Sequence, residues 1–353
     1  MTMDVYQRLA EHLDNLPAGY PATESGVELR ILKRLFTEEE AAIATGLSMM
    51  PEPAEAIAAR LGREASALAP ALEEMSRKGL IFRRSKGDQH TYMAAQFVIG
   101  IWEYHVNDLD EDLIRDVSAY IPYLMKKGWT DRKTKQLRVI PVAHSVNAEM
   151  RVTPYEAAEE VIRQQSKIVV APCICRREHA MVGQGCDKPM EACLTFGSGA
   201  YYYEQNGLGR TISQEEALGL LKTAEEAGLV LQPSNSQKPV NICMCCGCCC
   251  QILKNMRTLD KPALAVHTNY YAEVRAADCT ACETCVERCQ VDAITVEEVA
   301  AVNRDRCIGC GLCIGACPTD ALILKQKTGE DQYIPPANTV ETYINMASER
   351  GKI

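Results

Sequence analysis

Two stretches decide how this chain is read. They are Cys279-Thr280-Ala281-Cys282-Glu283-Thr284-Cys285-Val286-Glu287-Arg288-Cys289 and Cys307-Ile308-Gly309-Cys310-Gly311-Leu312-Cys313-Ile314-Gly315-Ala316-Cys317. Both space four cysteines by two, two and three residues, and every cysteine recurs at an offset of 28. The offset persists downstream, where Asp292-Ala293-Ile294 aligns with Asp320-Ala321-Leu322. Two copies of one small supersecondary unit are the simplest account. The copies differ after their last cysteine: Gln290 follows Cys289, whereas Pro318 follows Cys317.

Three closely spaced thiolates can hold three corners of a four-iron cubane, and in the bacterial arrangement the fourth cysteine of each run serves the other cluster. The two runs resemble the bacterial two-cluster ferredoxin domain over roughly 55 residues. That resemblance implies one 4Fe–4S cluster on Cys279, Cys282, Cys285 and Cys317, and a second on Cys307, Cys310, Cys313 and Cys289. Gly309, Gly311 and Gly315 let the chain wrap close to the second cluster. Zinc ligands usually come as Cys-x2-Cys pairs divided by a longer spacer, so two zinc sites fit less well.

All 18 cysteines of the 353-residue chain follow residue 172. Ten precede the repeat: Cys173, Cys175, Cys186 and Cys193, then Cys243, Cys245, Cys246, Cys248, Cys249 and Cys250. Ten thiols exceed what one cubane needs, and one or two further iron–sulfur clusters are expected. Adjacent cysteines point in different directions, so the dense run contributes either to two clusters or to one unusual cluster. Cys245-Cys246-Gly247 resembles the cysteine-rich domains of heterodisulfide-reductase-type proteins, although the rest of that spacing is absent. The competing reading is a zinc site on Cys173, Cys175, Cys186 and Cys193. Arg176, Arg177 and His179 are read as a solvated basic turn in preference to donors toward cluster sulfur. Lys167–Ala171 reads as a short buried strand, Ser213 and Glu216 as a capping box for a helix closed by Gly228, and 232–239 as a loop.

The cysteine-free half has helical periodicity instead. Ser25–Phe36 reads as a helix, and Thr37 with Glu40 caps the next. Ala54, Ile57, Ala58 and Leu61, then Leu68, Ala71, Leu72 and Met75, recur at helical spacing. Leu80–Arg84 and Gln89–Ala94 flank Lys86-Gly87-Asp88 as a two-stranded wing. This order resembles winged helix-turn-helix domains of the MarR/ArsR type. Residues 25–95 hold ten basic and ten acidic side chains, and the whole chain has a net charge of −9. A DNA-binding face brings a basic stripe, so a winged helix used for protein contacts is favoured over nucleic-acid binding. Further on, Asp108–Lys127 reads as a helix, Gln136–Ile140 as a strand, and Thr153-Pro154 as a helix start.

No apolar run approaches a membrane span, and the first residues lack a signal-peptide layout, so a cytoplasmic protein with reduced thiols is expected. No flavin or nucleotide motif is present. The fold class is α+β and multidomain: a winged-helix-like domain (1–96), a helical connecting region (97–172), a cysteine-rich cluster-binding region (173–268), a ferredoxin-like domain (269–327) and a C-terminal tail (328–353). The whole chain is similar to a widespread group of anaerobe iron–sulfur proteins. That resemblance names a family without naming a reaction; the two ferredoxin-type clusters and the lack of any organic-cofactor motif lead to the expectation of an electron-transfer protein or subunit, more a component than a stand-alone catalyst, relaying single electrons in anaerobic metabolism to a protein redox partner, itself an oxidoreductase. Residues 270–327 carry nine acidic and six basic side chains, suiting a basic patch on that partner. The alternatives are a redox-responsive winged-helix transcriptional regulator and an oxidoreductase whose unusual middle cluster binds substrate.

Overall fold

The computed structural model describes residues 3–146, 150 and 152–353. Met1 and Thr2 of the leader reading, and 147–149 and 151 of the connecting region, lie outside them. The chain begins with a helix that sequence reasoning passed over. Asp4 and Gln7 form a reciprocal capping box for α1 (Val5–Asn15). The expected series then follows: α2 (Val27–Leu35), α3 (Glu38–Ala44), α4 (Ala54–Leu61), α5 (Ala65–Arg77) and the hairpin β1 (Phe82–Lys86) with β2 (Gln89–Met93). Thr37 and Glu40 make the capping box that their spacing suggested, at 3.2 and 2.8 Å.

The hairpin is covered by the chain's own middle region. The Tyr202 hydroxyl donates to the carbonyls of Ser76 and Ile81 at 2.9 and 3.1 Å, and its ring stacks on Phe82 with centroids 4.8 Å apart. Arg83 is buried, pairs with Glu73 and donates to Gln205. Of the ten basic residues in 25–95, eight form ion pairs among the described residues.

A single turn, α6 (Trp102–Tyr104), precedes α7 (Glu111–Met125), which is capped by Asp110 and packs on α2. Residues 136–140, expected as a strand, make only isolated bridges, Leu137 to Ser234 and Ile140 to Leu231. The Pro154 start gives one tight turn before α8 (Ala158–Arg163).

The middle region is an antiparallel sheet in the order β5-β3-β4-β7-β6. Its elements run β3 (Ile168–Pro172), α9 (Ile174–Met181), β4 (Glu191–Phe196), α10 (Gly197–Gln205), β5 (Arg210–Ile212), α11 (Gln214–Glu226), β6 (Val230–Pro233), β7 (Asn241–Cys245) and α12 (Gln251–Arg257). Ser213 caps α11 as expected, but the Glu216 carboxylate turns to Arg210 at 2.6 Å instead of completing the box. The loop after β6 is deeply buried, with Asn235 and Ser236 about 1 % exposed or less. One continuous apolar core runs from Leu9 of α1 through Trp102 and Val117 to the sheet and on to Ile308 and Leu312.

The repeat adds β8 (Tyr270–Val274), α13 (Thr284–Arg288), β9 (Ile294–Val296), β10 (Ala300–Val302), α14 (Leu312–Gly315) and β11 (Leu322–Gln326), with β8 paired to β11 and β9 to β10. Its two copies share backbone shape as well as cysteines. Ala281 and Gly309, Glu283 and Gly311, and Asp292 and Asp320 all have positive φ, between 52° and 77°. Gly309 has no alternative: a Cβ there would lie 2.2 Å from the Tyr270 carbonyl oxygen. Residues 328–353 are not the expected tail. They form α15 (Thr339–Glu349), whose Thr342 is buried and donates to the Asn235 carbonyl at 2.6 Å.

Candidate metal centre

The 18 cysteines gather into four groups. The first is a cavity bounded by Cys279, Cys282, Cys285 and Cys317, with Val274, Val296, Ala300 and Leu322 as its apolar wall. Cys317 thus joins the three cysteines of the other copy, because β11 lies beside β8 and returns the end of the second run across the first. The Ala300 N–H points at Cys279 Sγ at 3.3 Å, and Thr284 Oγ1 lies 3.5 Å from Cys282 Sγ. Hydrogen bonds from the Thr284 side chain and backbone hold the Cys282 thiol below its ordinary value.

The second group is Cys289, Cys307, Cys310 and Cys313, which lie within electrostatic reach of one another. Backbone N–H groups of Ala293 and Ala272 aim at Cys289 and Cys307 Sγ at 3.2 and 3.4 Å. Burial pushes Cys310 up to about 12. Cys313 also lies near Cys285, and the two share one small apolar cluster, so the first and second groups abut.

The dense run divides. Cys246, Cys248 and Cys249 turn toward Cys186, and their four Sγ atoms lie within 4.8 Å of one another. Cys186 and Cys249 are 3.6 Å apart. Cys243, Cys245 and Cys250 turn the other way. Cys243 and Cys245 share one face of β7 through strand alternation. Cys193 of β4 sits directly opposite Cys243 in the ladder. Cys173 and Cys175, at the end of β3 and the start of α9, complete this fourth group. Neighbouring thiols interact in the order 173, 175, 250, 245, 243, 193, and Cys173 also lies near Cys243 and Cys245. The zinc set of Cys173, Cys175, Cys186 and Cys193 is therefore not assembled, since Cys186 belongs to the third group.

Two joints connect these groups. Gln290, the residue that departs from the repeat, accepts from the Gly247 N–H at 2.7 Å. A Cβ at Gly247 would lie 2.6 Å from the Gln290 carbonyl oxygen, so the third group is pressed against the second. Arg176 lies between the third and fourth groups. Its guanidinium meets Cys246 and lies near Cys173 and Cys245, and it donates to the carbonyls of Pro189 and Met244 at 2.6 Å. At 1 % exposure it is no solvated turn residue. His179 is likewise buried, with Nδ1 2.8 Å from the Cys175 carbonyl oxygen and Nε2 3.0 Å from Lys254 Nζ. The reading as a basic turn is corrected for both, because α9 packs them inward. Burial opposes ionisation of Cys246, but the Arg176 charge and its hydrogen bonds hold that thiol down at about 7.

The donor sets fit iron–sulfur clusters. Each of the first three groups offers four thiols, and soft thiolates suit iron–sulfide. Gln232 was missed by sequence reasoning. It is fully buried in β6, with Nε2 3.9 Å from Cys250 Sγ and Oε1 without a partner. Beside the fourth group lies Tyr203, near Cys193, Cys243 and Glu103, and burial pushes the Glu103 carboxyl up to about 7.

Residues 300–323, which include Cys307, Cys310, Cys313 and Cys317, match a 4Fe-4S binding domain. Neither a curated protein nor a solved structure matches the chain. Among the described residues no helix is long and apolar enough to cross a membrane.

Proposed function

We propose that this iron–sulfur protein is an electron relay of the cytoplasm, whose four thiol groups bind clusters end to end and pass single electrons to or from a protein redox partner. The observation that carries this reading is continuity. Cys285 meets Cys313, Gln290 meets Gly247, and Arg176 spans Cys246 and Cys173, so no group is isolated from the next. Iron–sulfur clusters supply one-electron chemistry, with potentials set by burial and by hydrogen bonds to sulfur. The chain's own residues hold the sites close together, aim N–H groups at Cys279, Cys289 and Cys307, and keep a cation between the last two groups.

Cys279, Cys282, Cys285 and Cys317 are assigned to one 4Fe–4S cluster, Cys289, Cys307, Cys310 and Cys313 to a second, and Cys186, Cys246, Cys248 and Cys249 to a third. Cys282 of the first group and Cys248 of the third are both exposed, and the acidic excess of residues 270–327 makes the first group the docking end for a partner bearing a basic patch. The helices and hairpin of residues 25–95 are assigned a winged-helix fold that serves as a scaffold for the sheet. Its basic side chains are largely consumed in ion pairs, which weighs against a DNA-binding regulator. The half-buried Glu103 and the buried Tyr203 beside the fourth group favour, as a second reading, an oxidoreductase whose chemistry occurs there.

The test is stepwise anaerobic reduction followed by electron paramagnetic resonance. Neighbouring reduced clusters should broaden each other's signals, and Gln290→Ala should weaken the interaction between the second and third sites. Four signals that titrate independently in the unaltered protein would falsify the relay.

A further inference from the structure

The fourth group contains six thiols where a cubane needs four. They are not scattered. Cys193, Cys243 and Cys245 occupy one face of the sheet: the first two are a directly opposed cross-strand pair, and the last two lie two residues apart on β7. Cys173, Cys175 and Cys250 form a facing wall, built from the N-terminal end of α9 and the residue preceding α12. The walls meet where Cys250 interacts with Cys245 and where Cys173 lies near Cys243 and Cys245.

Cys173, Cys175, Cys193 and Cys243 retain accessible surface. A buried donor beside them is also incomplete. Arg176 Nε has no hydrogen-bond partner, although its side chain is 1 % exposed. Buried polar groups rarely stay unpaired without an ion, water or ligand to meet them. Cys173 and Cys245 lie near the Arg176 guanidinium, and Cys173 stands at the N-terminus of the eight-residue α9.

We propose that the six thiols hold one joint iron–sulfide assembly, made of two four-iron units, one seated on each wall and joined through a shared sulfide. Each wall supplies three thiolates, the number a cubane takes from one closely spaced run, and the shared sulfide fills the fourth corner of both units. Each of the six thiols loses its proton on ligation, and inorganic sulfide completes the set. A single cubane would leave two of the six gathered thiols unused. The inference rests on the iron–sulfur relay reading and names the occupant of that relay's last site.

The experiment is iron and acid-labile sulfide analysis with Mössbauer spectroscopy on the full chain, purified anaerobically from its native host. About 20 irons per chain are expected, eight of them in the joint assembly. Six single Cys→Ser variants at 173, 175, 193, 243, 245 and 250 should each lose iron. About 16 irons in the unaltered protein, with two of the six variants keeping the full count, would mean an ordinary cubane and overturn the proposal. The unaltered protein's spectrum needs no variant to fold. Absence of iron from every site, including that of Cys279, Cys282, Cys285 and Cys317, would instead overturn the relay reading beneath it.

Discussion

The repeat and the sheet region gather thiols by different means. In the repeat, three of each four ligands lie within seven residues, and short helices α13 and α14 bring them together locally. In the sheet region Cys193 and Cys243 are partners only because β4 pairs with β7, with 49 residues of chain between them. Local spacing defines the first kind of site, whereas strand register defines the second. A one-residue slip of β7 would turn Cys243 and Cys245 to the opposite face, so the middle thiols depend on the fold far more than the others do.

The strongest way to break this comparison is the one long-range ligand of the repeat's first site. Cys317→Ser should remove about four irons, those held with Cys279, Cys282 and Cys285, and leave the Cys307 site loaded. Iron analysis checks it, and loss confined to the Cys307 site would contradict the crossed arrangement. Arg176→Met comes next. It leaves the Pro189 and Met244 carbonyls and the Cys246 thiol without their cation, and should cost about 3–5 kcal/mol in anaerobic chemical denaturation. The same change in an exposed, ion-paired arginine such as Arg34 should cost under about 1 kcal/mol.

A smaller effect concerns Glu103, which Glu178 of α9, Tyr104 of its own turn, Tyr203 of α10 and Tyr343 of α15 surround. Its carboxyl titrates near 7 when folded against an ordinary 4.5, because burial disfavours the charge. Between those values the unfolded chain has released the proton that the native chain still holds. Stability should therefore fall by about 3 kcal/mol as pH rises from about 4.5 to about 7. Glu103→Gln should flatten that slope, as pH-dependent denaturation midpoints would reveal. The smallest effect sharpens the repeat itself. Glu283 stands at φ +62° where the second copy has Gly311. Glu283→Gly should stabilise by roughly 0.5 kcal/mol, strain relief slightly exceeding the added chain entropy, and a higher thermal midpoint would register it.

Much of the repeat was legible because its information is local: spacing, offset and turn residues all lie within 45 residues. The hairpin and the Thr37–Glu40 cap were legible for the same reason. Asp4 and Gln7 carried an equally local signal for α1 that was not read. The division of 243–250 was not legible in full. Alternation does put Cys243 and Cys245 on one side, but Cys186 and Cys193 reach their groups through the loop after α9 and through β4, which no spacing rule anticipates. Arg176 looked like a surface charge because the carbonyls that receive it, Pro189 and Met244, come from distant segments. Gln290 looked like a lapse in the repeat until Gly247 appeared against it.

Arg350 donates to the Leu16 carbonyl and pairs with Asp14 at 2.8 Å. A ribosome makes these partners more than three hundred residues apart. The first helices can fold as they emerge, but this clasp must wait until residue 350 has been translated. The N-terminal surface beside Asp14 thus stays uncovered while every thiol-bearing segment is being synthesised. That interval keeps the molecule open, and its closure would mark a chain that has received these 18 cysteines.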